Sequence, residues 1–106
     1  MDSENEYDEK WTTEVINLRP FDSWSKHSGK IVMLTHVSMA YKTDSDDNVF
    51  GILTAETWDE SQVLCKLFRN DFSKPMKIVW SHSQSVYLSN KGNREITLVL
   101  LTKEVS

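Results

Sequence analysis

The chain has 106 residues and a mass of 12.3 kDa, with 39% hydrophobic and 26% charged residues and only three glycines and two prolines. That profile excludes collagen-like, low-complexity and wholly disordered classes, and the length suits one domain with one core. Net charge is −4 but uneven: residues 1–60 hold thirteen acids and five bases, residues 61–106 three acids and seven bases.

Residues 1–10 contain five acids and one aromatic without apolar period. They read as a disordered acidic tail, because they bring too little apolar surface to offset ordering entropy. Their acidity is also unlike a secretory signal, and no apolar run approaches the ~20 residues that span a bilayer. With a single cysteine, Cys65, the expectation is an intracellular protein with no membrane partner, no internal disulfide and no thiolate zinc cluster within one chain.

Residues 11–29 stay open between two readings. Trp11, Val15 and Leu18 fit one face of a short helix, whereas the β-branched pair Val15-Ile16 favours a strand, and Pro20 ends either element. Phe21 and Trp24 then sit in a polar connector. From Lys30 to Lys42 the apolar residues alternate, with Ile31, Met33, Val37, Met39 and Tyr41 in one set and Val32 and Leu34 in the other. This predicts a long strand buried on both faces at its start. Residues 43–48 read as a turn, and Val49–Ala55 as a returning strand that pairs with the first in a hairpin.

Thr57-Trp58-Asp59-Glu60 matches the T-x-x-E capping box, and Val63, Leu64, Leu67 and Phe68 follow at helical spacing. The pattern predicts a helix over 58–70, closed before Pro75. Met76, Ile78 and Trp80 alternate as a strand, Val86 and Leu88 begin another, and Asn90-Lys91-Gly92-Asn93 reads as a hairpin loop with Gly92 at positive φ. Ile96–Leu101 is almost wholly apolar, as in a central strand covered on both sides.

The sum is a single α+β domain over residues 11–106: a small antiparallel sheet of five or six strands with one main helix, in the order β-β-α-β-β-β. That element order over residues 30–103 resembles the roadblock, longin and profilin-like scaffolds. An OB-type Greek-key barrel is the alternative.

The chemistry-bearing residues do not assemble into a catalytic pattern. His27, His36 and His82 lack metal-ligand spacing, no G-x-S-x-G elbow or phosphate-cradling glycine loop is present, and Cys65 lies too far along its predicted helix to be activated by the dipole. No cofactor, metal or catalytic activity is expected. What remains is a non-catalytic protein-interaction module, a subunit or adaptor of a larger assembly. Its partner would be another protein or a second copy of the chain, met through a sheet edge or the helix-flanking surface. The alternative is single-stranded nucleic-acid binding by bases interleaved with aromatics, with Lys77, Trp80, Tyr87, Lys91 and Arg94 as the candidate surface.

Overall fold

The computed structural model describes residues 11–26, 29–39 and 48–104. The acidic stretch 1–10, His27 and most of the expected turn at 43–48 lie outside them. Eight strands follow one another: β1 (Thr12–Leu18), β2 (Ser23–Lys26), β3 (Lys30–Met39), β4 (Phe50–Glu56), β5 (Ser61–Phe68), β6 (Ser73–Trp80), β7 (Val86–Asn90) and β8 (Ile96–Glu104). They form two four-stranded antiparallel sheets, one ordered β1-β8-β3-β6 and the other β2-β7-β4-β5. Successive strands mostly alternate between the sheets. Two sheets woven in this order are a jelly-roll sandwich.

The core lies between the sheets. From the first it takes Leu18, Val32, Leu34, Val37, Met39, Trp80, Ile96, Leu98 and Leu100; from the second, Leu53, Ala55, Cys65, Leu67, Val86 and Leu88. Strand alternation places each on the inner face. Burial of this set, at roughly 25 cal/mol per Å² of apolar surface, is the main force holding the sheets together. Asn90, fully buried, ties the weave. Its amide nitrogen donates to Leu18 O at 3.0 Å and Arg94 O at 2.8 Å, while its Oδ1 accepts the Gly92 N–H at 2.9 Å.

Several expectations are corrected. The described residues contain no helix, so the fold is all-β rather than α+β, and neither the β-β-α-β-β-β order nor the OB-type barrel describes it. Residues 58–70 form the tip of the β4–β5 hairpin and strand β5 instead. The Thr57 N–H donates to the backbone carbonyl of Glu60 at 2.8 Å, where a capping box would use the glutamate side chain, and Thr57 Oγ1 donates to Asp59 Oδ1 at 2.8 Å. A register shift between Leu53 and Thr54 leaves Leu64 as an extra residue in β5. That bulge breaks the alternation of Cys65 and Leu67 and makes a strand resemble helical spacing.

Residues 11–26 resolve into two strands joined by the turn Arg19–Asp22. Likewise, β3 and β4 do not pair, because β3 lies between β8 and β6 while β4 belongs to the opposite sheet. Asn90–Asn93 is no hairpin loop either; it carries the chain from β7 in one sheet to β8 in the other. Gly92 is required there for close approach, since a Cβ would lie 2.4 Å from Phe50 O and 2.6 Å from Gly51 Cα. It is not among the described residues with positive φ, which are Gly29 and Phe21.

Candidate interaction surfaces

The first sheet turns a band of apolar residues outward among polar ones. Register places Thr13, Leu101, Met33 and Val79 in one row across all four strands, and Val15 beside Val99 in the next. Val15 is 59% exposed and Val79 50%, while Ile31, Met33, Val99 and Leu101 are half-buried. Trp11 extends this face, with Lys103 Nζ 5.4 Å from its ring centroid. No element among the described residues covers the sheet on this side. The second sheet differs: its outer face carries Ser23, Ser25, Thr54, Glu56, Lys66, Tyr87 and Ser89, with Phe50, Ile52, Val63 and Phe68 toward the β4–β5 side.

Two aromatic side chains stand at opposite ends of the sandwich. Phe21 occupies the third position of the Arg19–Asp22 turn at φ 69°, where a turn ordinarily carries glycine, and is 80% exposed. The turn is held by Asp22, whose N–H donates to Arg19 O at 2.9 Å and whose carboxylate accepts from the Arg19 N–H at 3.1 Å and Nε–H at 3.3 Å. Phe21 N–H also donates to Asn90 O, 2.8 Å away. Trp58, at the tip of the β4–β5 hairpin, is 95% exposed.

Beside Trp58 lies a groove of about 510 Å³, lined by Thr57, Trp58, Asp59 and Glu60 on one side and Ser83, Gln84 and Ser85 of the β6–β7 loop on the other. That loop is fixed by Gln84, whose Oε1 accepts the Ser81 N–H at 2.8 Å, and by Gly29, whose N–H donates to His82 O at 2.7 Å. Lys26, buried on the inner face of β2, donates its ammonium to Gln84 O. Burial draws the Lys26 ammonium below the ordinary lysine range.

The five residues of the basic–aromatic pattern are dispersed. Lys77 lies on the outer face of the first sheet and Tyr87 on that of the second, so they look away from each other across the sandwich. Trp80 is buried in the core at the end of β6. Lys91 and Arg94 belong to the β7–β8 connection, at the end opposite Trp80. Cys65 is buried, and desolvation pushes its thiol up, with the Lys74 charge opposing. Among the described residues no group of three or more His, Cys, Asp or Glu is placed to hold a metal ion. Sequence reasoning missed Trp58 by assigning it to a capping box; the signal was a tryptophan set among the polar residues Thr57, Asp59 and Glu60.

No family model matches the sequence, and neither does any curated protein. Solved structures do match in fold. The nucleoplasmin-like N-terminal domain of Drosophila FKBP39 aligns with a TM-score of 0.73 at 10% identity, covering 91% of this chain and 92% of that one. The Drosophila NLP core, whose structure is described as giving insight into pentamer formation and histone binding, aligns with a TM-score of 0.72 at 10% identity over 88% of this chain and 99% of that one. The capsular polysaccharide assembling protein CapF of Staphylococcus aureus matches with a TM-score of 0.54 at 9% identity over 92% of this chain but only 24% of its own length. The chain therefore has the fold shared by nucleoplasmin-like domains.

Proposed function

We propose that this chain is a non-catalytic protein-interaction domain that self-associates through the apolar outer face of its first sheet and presents its remaining surface to a partner protein. One observation carries the reading: β8 sets Val99 and Leu101 outward as well as Ile96, Leu98 and Leu100 inward, yet the described chain covers only the inner set. Large apolar patches on a folded surface mark interaction sites. A standard interface buries roughly 800 Å² on each partner, and a four-stranded sheet face has the dimensions to supply much of that. The Drosophila NLP core, similar in fold and described with pentamer formation, supports assembly as a cyclic ring. The broad face, rather than a sheet edge, is the surface the side chains favour, since a helix-flanking surface does not exist among the described residues.

Light scattering across a concentration series tests the reading. The expected mass is a closed multiple of 12.3 kDa. Val15→Lys combined with Val79→Lys, at positions already half-exposed in the protomer, should yield folded monomers. A parent chain that stays monomeric at every concentration, or an assembly that survives both lysines, would overturn it.

A further inference from the structure

The groove at the tip of the β4–β5 hairpin is built on different chemistry from the apolar sheet face. Its aromatic wall is Trp58, which at 95% exposed contributes almost nothing to the core. Asp59 and Glu60 follow directly, Glu56 precedes them at the end of β4, and the opposite rim offers the hydroxyls of Ser83 and Ser85 with the Gln84 amide. Among the described residues no lysine or arginine lines the groove. Both walls are held in place: the hairpin tip by the Thr57 bonds to Asp59 and Glu60, and the loop by Ser81, Gly29 and, from inside, Lys26. An indole face beside carboxylates is complementary to a cation that is also flat, because the ring quadrupole attracts the charge while the carboxylates take its hydrogen bonds.

We infer that this groove captures an arginine side chain of a basic peptide segment, the guanidinium stacking on Trp58 and donating to Asp59 and Glu60. Arginine fits better than lysine, since its planar fork both stacks and pairs bidentately, whereas an ammonium does neither. The hydroxyl and amide rim then meets the backbone of an extended peptide. The inference extends the reading above by naming the partner's chemistry, but it does not depend on self-association, because the groove lies at one end of the sandwich and the apolar face on its side.

Fluorescence anisotropy of the full chain with a labelled arginine-rich peptide, the same peptide with lysines, an acidic peptide and a single-stranded oligonucleotide tests it. The arginine peptide should bind most tightly, weakening with salt, and the acidic peptide and oligonucleotide should not bind. Trp58→Ala, which removes no core contact, should weaken the arginine peptide about two- to fivefold, the scale of an exposed cation–π contact. Asp59→Asn with Glu60→Gln should weaken it more and flatten the salt dependence, while Glu95→Gln at the far end changes nothing. The Val15→Lys, Val79→Lys chain should still bind, which separates this test from that of assembly. Equal affinity for the parent and Trp58→Ala chains, no preference for arginine over lysine, or capture of the oligonucleotide would overturn the inference.

Discussion

Along β8, Leu98 and Leu100 point into the sandwich, and between and beyond them stand Val99 and Leu101, facing out. Along β7, Val86 and Leu88 point in, and their neighbours Tyr87 and Ser89 are polar at the tip or throughout. The two central strands thus share one inner pattern and differ in the outer one. On its β2–β7 side the second sheet faces outward with Ser23, Ser25, Tyr87 and Ser89, its apolar residues lying toward β4–β5, whereas the first sheet sets Val15, Val99, Leu101, Met33 and Val79 across all four of its strands. A sandwich needs only one apolar face per sheet to close its core. The outward apolar residues of the first sheet are therefore not required to close the core, and they are the feature on which the proposed self-association rests.

The sharpest test of that contrast uses two neighbours on one strand. Leu98→Ala should lower stability by about 2–5 kcal/mol in urea denaturation, as core truncations do. Val99→Ala, one residue on, should cost the isolated protomer under about 1 kcal/mol and act instead on the association constant. Equal protomer losses would mean that the outer layer is part of the folding core and would break the comparison.

On the second sheet the largest polar effect belongs to Asn90. Removing its amide leaves Leu18 O, Arg94 O and the Gly92 N–H without their partner, so Asn90→Ala should cost about 2–3 kcal/mol, read by the same denaturation. Between the sheets, at the Arg19–Asp22 turn, Phe21→Gly should raise the thermal midpoint, corresponding to about 1 kcal/mol gained as left-handed strain on a bulky residue is relieved.

The smallest effect concerns Cys65. Its thiol should react with an aromatic disulfide reagent far more slowly in the folded than in the unfolded chain. Because its folded pKa is raised above the ordinary 9.0, the folded state holds the proton longer, so stability should fall as pH climbs past that value. Cys65→Ala, compared with the parent, should lack that alkaline decline.

Strands were legible where a single inward face was kept, as in Met76–Trp80; Ile96–Leu101 was legible as a central strand, but the cover expected on both of its sides is found among the described residues on one side only. What misled was local irregularity. In β3 the register shifts between Leu34 and His36, so Val32 and Leu34 point inward before the shift and Val37 and Met39 after it. The sequence pattern therefore shows two half-apolar sets and suggests burial on both faces. In β5 the extra Leu64 had the same effect and suggested a helix. Bulges insert one residue and reverse the alternation, which a period-two reading cannot distinguish from a change of element. Strand partners were less legible still, because β3 and β4 belong to different sheets, and pairing in a jelly roll is set by contacts far apart in sequence. Of the candidate surface, the aromatic and basic residue types were visible, but their facing was not. Lys77 and Tyr87 lie on strands whose outer sides look in opposite directions.

The first and last strands are neighbours, with Thr12 opposite Thr102 and, across β3, Lys30 opposite Glu104. The described chain thus starts and finishes at one pole of the sandwich, the pole that also bears Trp58 and the β6–β7 loop. A label placed at Thr12 or Glu104 would sit at that pole and leave the Phe21 pole clear. Labelling strategies should therefore place reporters at the Phe21 end, on the β7–β8 connection.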